Sequence, residues 1–105
     1  MNQEIYERLR NIGERLKKEY YAEKVILYGS YARGEETEDS DVDLLVIAPT
    51  GERMIDRMAS VSRIIRDLRN GLPISPIVLT PDEFRQKLEI EDAFIQIIVE
   101  EGTIL

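Results

Sequence analysis

The sequence predicts an α/β (α+β) domain: a small mixed β-sheet of three or more strands with helices packed on it. Three observations carry that prediction. Short, continuous apolar runs recur at Val25-Ile26-Leu27-Tyr28, Leu44-Leu45-Val46-Ile47-Ala48 and Ile77-Val78-Leu79. Such runs are too short for helices and belong to strands covered on both faces. Longer stretches between them place apolar residues three and four apart, the helical period. The joints carry turn and cap chemistry at Pro49-Thr50-Gly51, Asn70-Gly71 and Thr80-Pro81-Asp82-Glu83. A length of 105 residues suits one domain, 1–105, able to bury about two-thirds of its unfolded surface.

In chain order, residues 2–20 read as an amphipathic helix, with Ile5, Leu9, Ile12 and Leu16 on one face. That stripe serves either the sheet or a partner. Residues 24–28 form the first strand and 30–33 a short helix, after which Glu35-Glu36-Thr37-Glu38-Asp39 reads as a solvated acidic loop. Residues 41–48 form a second strand, apolar enough for the middle of the sheet. A helix over 52–70 is expected to turn Ile55, Met58, Val61, Ile64, Ile65 and Leu68 inward and to stop at Gly71. The third strand, 73–79, contains Pro73 and Pro76, which lack N–H donors and so assign it to an edge or to an irregular start. Thr80 and Glu83 form a capping box for a helix over 81–88 with Pro81 at its first position. A last helix, 91–101, is expected to group Phe94, Ile97 and Ile98, with Ile95 and Val99 widening the apolar band and Gly102 ending it.

Composition narrows the chemistry. There is no cysteine and no histidine, which removes disulfides, thiolate zinc sites, cysteine nucleophiles and Ser-His-Asp triads. Carboxylates, hydroxyls, Arg and Lys remain, a set suited to metal-assisted reactions. A net charge of −7 argues against broad attachment to DNA or RNA. No apolar run approaches the ~20 residues of a membrane span, and the start lacks a signal-peptide pattern, so a cytoplasmic location is expected.

The functional signal lies in two adjoining stretches. Tyr28-Gly29-Ser30-Tyr31-Ala32-Arg33-Gly34 reads as a strand that stops at a glycine and turns into a helix. Ser40-Asp41-Val42-Asp43-Leu44-Leu45 starts a strand with two carboxylates on one face, because side chains alternate along it. Like charges so placed repel unless a cation lies between them, and Mg²⁺ suits oxygen ligands. Gly29 permits close backbone approach, and the turn after it offers N–H groups to a phosphate. A carboxylate pair beside a phosphate cradle is the layout of phosphoryl or nucleotidyl transfer.

Tyr28-Gly29-Ser30 followed by Asp41-Val42-Asp43-Leu44 resembles the signature of the DNA polymerase β-like nucleotidyltransferase superfamily. The fuller wording is similar to the minimal nucleotidyltransferases (MNT), the antitoxins of HEPN–MNT pairs. The resemblance implies a polymerase β palm-like fold, with Asp41 and Asp43 as catalytic metal ligands for Mg²⁺ and ATP as substrate. It implies that Gly29 and Ser30 contact phosphate. Arg33 either neutralises phosphate charge or pairs with the acidic loop. It further implies transfer of AMP to a hydroxyl, on a HEPN-type protein partner where no second domain holds the acceptor. A homodimer would use the last helix's apolar band equally well.

The chain departs from that pattern in two respects: its small size beside larger members that carry an acceptor-holding domain, and a missing carboxylate. The superfamily's third carboxylate, expected on the next strand, is missing between Pro73 and Thr80, and Ser75 is the candidate for its position. Loss of a general base costs on the order of 10²–10⁴ in rate. Three readings therefore stand: an Mg-dependent nucleotidyltransferase; a degenerate, non-catalytic nucleotide-binding or partner-neutralising relative; and a plain α/β domain whose acidic pair is solvated.

Overall fold

A computed structural model describes all of residues 1–105. Its elements are α1 (Gln3–Glu19), β1 (Lys24–Tyr28), α2 (Ser30–Arg33), β2 (Val42–Ile47) and α3 (Met54–Ile64), then α4 (Arg66–Arg69), β3 (Ile74–Leu79), α5 (Pro81–Glu89), α6 (Ala93–Glu101) and β4 (Thr103–Ile104). The four strands lie in the order β3-β2-β1-β4. β1 runs antiparallel to β2 and β4, whereas β2 and β3 are parallel. A parallel pair needs a crossover, and α3 with α4 supplies it. The mixed sheet is the one the sequence predicts, with β3 and its Pro76 at an edge as a missing N–H donor requires.

Each face of the sheet has its own core. On one, Val25, Leu27, Val42, Leu44 and Val46 pack against Leu9, Ile12 and Leu16 of α1 and against Val61 and Ile65. On the other, Ile26, Tyr28, Leu45 and Ile47 pack against Leu79, Ile95 and Ile98. The second layer is thinner, since α5 buries no residue fully. No helix is long and apolar enough to cross a membrane.

Four local expectations need correction. The helix expected over 52–70 is broken at Ile65, whose backbone leaves the helical range while its side chain stays fully buried. Ile55 and Met58 face outward, at 78% and 49% exposure, because Arg57 and Ser60 occupy the inner row instead. In α6 the inward residues are Ile95 and Ile98, while Phe94 and Ile97 are half-exposed. Gly102 ends α6 as expected, and the chain then continues as β4, pairing Ile104 with Ile26 and Thr103 with Leu27. A Cβ at Gly102 would lie 2.5 Å from Ile26 Cγ2 and 3.3 Å from Leu27 O, so glycine permits the close pass over β1. The acidic loop is also less solvated than its charge suggests: Glu36 is half-buried and bonds the N-terminal amine at 3.1 Å.

Arg57 outcompetes its apolar neighbours because its charge is fully engaged. Its guanidinium donates to Glu83 Oε1 at 2.7 Å and Oε2 at 3.3 Å, to Glu52 O at 3.1 Å and to Val78 O at 3.4 Å. The capping box that starts α5 uses the same Glu83 carboxylate, which accepts from Thr80 N at 2.8 Å. Hydrogen bonding by Arg57, helped by the Thr80 amide, holds Glu83 below the usual carboxylate range. Glu83→Gln should therefore cost about 1–3 kcal/mol at neutral pH, because it weakens the partner of a buried cation. A depressed folded pKa means stability that is whole above the unfolded value of about 4.3 and is lost as pH falls through the folded one. Urea melts from pH 7 to pH 3 should show the Gln variant losing less stability over that acid range than the parent; parallel curves would refute this.

Candidate functional site

β1 delivers the chain to a bend. Gly29 follows Tyr28 with φ 77° and ψ −155°, a conformation open to glycine and costly to other residues. Space demands glycine as well. A Cβ at position 29 would overlap Asp43 Oδ2 and lie 3.3 Å from Asp43 Cγ. The bend therefore presses its backbone directly against the second carboxylate of the Asp-x-Asp pair. No side chain caps α2, so Ser30 does not serve as a capping serine; the Arg33 amide donates to Gly29 O at 3.1 Å, and those of Ser30, Tyr31 and Ala32 are unclaimed. Gly34 closes the turn in the left-handed region, its N–H bonding Tyr31 O at 3.4 Å.

Asp43 lies one residue inside β2, where pairing fixes its neighbours. It is in register with Tyr28 on β1 and with Ser75 on β3. Residues paired in this way share a face, so Tyr28, Asp43 and Ser75 form one row across three strands. Asp41 shares Asp43's side of the chain but lies just outside the strand and is exposed. The turn that brings it there is held by Ser40, whose Oγ accepts from Thr37 N at 2.9 Å while Ser40 N donates to Thr37 O at 3.1 Å. Partial burial raises the Asp43 pKa, the negative charge of Asp41 raises it further, and Arg33 opposes both. The two carboxylates are thus close enough to repel.

Of the two roles the sequence leaves open for Arg33, the structure shows the ion pair with the acidic loop. Arg33 pairs with Glu35 at 3.3 Å and with Glu101 of α6 at 3.5 Å, and its charge is felt at Asp43. The structure brings Gly29, Asp41, Asp43 and Arg33 to one end of the sheet, with Ser30 in the turn itself. Ser75 stands beside Asp43, on a strand without any carboxylate. No cluster of three or more His, Cys, Asp or Glu side chains exists that could hold a metal by itself. The largest surface cleft, about 540 Å³ and lined by Met54, Leu79, Glu83 and Ile90 among others, lies at the opposite end, where β3 finishes.

Sequence reasoning missed three participants. In the sequence Tyr28 counts as the apolar residue before Gly29-Ser30, with no role of its own, yet its register with Asp43 puts it in the site's row. Burial and the Asp43 charge push its hydroxyl pKa up to about 12. Phe94 meets it edge-to-face, with ring centroids 5.6 Å apart and planes at 88°. Glu101 enters through its pairing with Arg33. Tyr28 was within reach of a sequence argument, because it directly precedes Gly29; Phe94 and Glu101 carry no local signal of their position.

The chain resembles known proteins over most of its length. The model of the family described as nucleotidyltransferase domain matches residues 9–105. This chain belongs to that family. A protein of Methanocaldococcus jannaschii named "putative protein adenylyltransferase" is 47% identical over 66 residues, which are 60% of this chain and 45% of that protein. Another from the same organism, with the same description, is 36% identical over 83 residues, 78% of this chain and 76% of that one. The match thus spans less than half of the first relative's length. A solved structure of a "putative nucleotidyltransferase" from Sulfolobus solfataricus superposes with a TM-score of 0.58 at 30% identity, covering 76% of this chain and 70% of that chain. The four-stranded mixed sheet is accordingly a polymerase β-like nucleotidyltransferase fold.

The two glycines of this nucleotidyltransferase turn separate strain from crowding. Gly29 and Gly34 both have positive φ, but nothing lies within 4 Å of a Cβ built at Gly34. Gly34→Ala should cost about 1 kcal/mol of backbone strain. Gly29→Ala should cost clearly more, about 2–4 kcal/mol, because the new methyl also displaces the Asp43 carboxylate. Chemical denaturation of both variants checks this; equal losses would mean the Gly29–Asp43 contact is slack.

Proposed function

We propose that this nucleotidyltransferase domain uses Mg²⁺ and ATP to transfer AMP to a hydroxyl on a partner protein, as the antitoxin of a HEPN–MNT pair. One observation carries the reading: the Gly29 bend lies against Asp43, with Asp41 beside it, so backbone amides and paired carboxylates can address one ligand. The names of the relatives support a protein acceptor. The donor set fits the ion, since hard carboxylate oxygens suit Mg²⁺ and the mutual repulsion raising the Asp43 pKa is what a bound cation would relieve.

Asp41 and Asp43 are the residues that would hold the ion, with waters and triphosphate oxygens completing its shell. Bound there, Mg²⁺ screens the triphosphate charge and makes the α-phosphorus more electrophilic. The protein's own share is positioning. Gly29 lets the bend lie against Asp43, the unclaimed amides of Ser30, Tyr31 and Ala32 offer donors, and Arg33 offers a guanidinium fork to non-bridging oxygens. The acceptor oxygen bonds to the α-phosphorus, the α–β bridging bond breaks, and pyrophosphate leaves. The hydroxyl proton passes to solvent, because β3 offers only Ser75 next to the carboxylate row.

That serine gives a second reading its specific support: a non-catalytic relative that binds nucleotide or neutralises its partner by contact. α-Labelled ATP, Mg²⁺ and the protein encoded in the neighbouring reading frame separate the two. The enzyme reading expects label on the partner, and expects Asp41→Asn and Asp43→Asn each to reduce both Mg-ATP binding and transfer at least a hundredfold. Nucleotide binding without any label transfer favours the second reading. A double variant that binds and transfers like the parent eliminates both.

A further inference from the structure

The row that places Asp43 also ends on an aromatic pair that the phosphate and metal chemistry leaves unused. Tyr28 is nine-tenths buried. Its hydroxyl has no hydrogen-bond partner in the chain, yet it is not sealed from solvent. A buried tyrosine ordinarily satisfies that hydroxyl, so an open one beside a ligand site is a vacant donor and acceptor. Phe94 packs its ring edge-to-face with Tyr28 and keeps 47% of its surface exposed, against the ordinary tendency of a phenylalanine to be buried. Both rings stand on the sheet face that carries Asp43, with Phe94 one aromatic contact beyond Tyr28.

A nucleotide with its phosphates on the Gly29 bend must send its sugar and base away from the carboxylates. Toward β3 the row meets only the small Ser75. Toward α6 it meets a vacant hydroxyl and then an exposed flat ring. We propose that Tyr28 and Phe94 form the nucleoside subsite of this domain: the Phe94 ring stacks on the base, and the Tyr28 hydroxyl bonds the ribose. The inference rests on the nucleotide reading above and adds where the base goes. Stacking is tolerant of base identity, since every base has a π-face, so the subsite takes a purine nucleoside by contact area rather than by edge recognition.

The test compares two probes, Mg-ATP and Mg-tripolyphosphate, by calorimetry on the full chain. Phe94→Ala should weaken Mg-ATP about tenfold or more and leave tripolyphosphate unchanged, while Phe94→Tyr should restore ATP affinity. Tyr28→Phe, which keeps the ring pair, should weaken Mg-ATP several-fold with tripolyphosphate again unaffected. Thermal melts check each fold, and Phe94→Leu, which keeps apolar packing without a flat face, takes the place of the alanine variant if that unfolds. Unchanged ATP affinity in Phe94→Ala, or equal loss of both probes, overturns the subsite while leaving the nucleotide reading intact. Intact ATP binding with lost transfer to the partner protein overturns it in favour of an acceptor contact. A parent protein that binds neither probe removes the nucleotide reading and this inference together.

Discussion

One side chain that is absent and one carboxylate that fills its place organise this end of the molecule. Asp43 leans into the space where a Cβ at residue 29 would be, so the two halves of the motif are in contact as well as close in sequence. Antiparallel pairing of β1 with β2 is the cause. With Tyr28 opposite Asp43, the residue following the strand must pass over the carboxylate. Any side chain would push the bend and the acid apart. The interval between Gly29 and Asp43 is filled by a four-residue helix and an acidic loop, which return the chain to the neighbouring strand in register.

The two cores divide the work. α1 and the α3–α4 crossover cover one face with the larger cluster, built on Leu9, Ile12, Leu16, Val61 and Ile65, and make the sheet a rigid platform. The face bearing Asp43 carries the smaller cluster, and Tyr28 ends it at the site. Because α5 and α6 contribute so few buried side chains there, polar groups remain reachable from solvent. The broken crossover helix belongs to the same economy. Turning Arg57 inward to Glu83 ties α3 to the start of α5 across β3, so one buried ion pair fixes three elements.

Strands, the order of elements and the capping box were legible because each is written in local pattern: uninterrupted apolar runs, helical spacing, and Thr80 three residues before Glu83. The candidate site was legible for the same reason, since glycine and two alternating aspartates have local meanings. Failures occurred where a tertiary partner decided the outcome. Ile55 and Met58 look like core residues until Glu83, 26 positions beyond Arg57, makes the arginine the better occupant. β4 is two residues long and exists only because β1 offers it an edge. Phe94 and Ile97 lie on the same helix as Ile95 and Ile98, and in so apolar a segment the pattern alone does not say which face meets the sheet.

Charge bears on the proposed ligand, because the site holds more carboxylates than cations. Around Arg33 stand Glu35 and Glu101, and Asp43 feels both Arg33 and Asp41. One guanidinium thus serves three carboxylates, with Asp41 adding a further negative charge beside Asp43, in a chain whose net charge is −7. A bare triphosphate approaching this surface would be repelled, and Arg33 could engage it only by loosening its ion pairs. Those pairs are partly exposed and so worth little individually, which makes Arg33 free to exchange a glutamate for a phosphate. On the proposed reading, a divalent ion between Asp41 and Asp43 would cancel their two charges and leave Arg33 to face the triphosphate, so the repulsion felt by a free polyanion would fall for the metal-bound one. On that same reading, a preference for metal-complexed over bare triphosphate would follow from that balance without a dedicated filter.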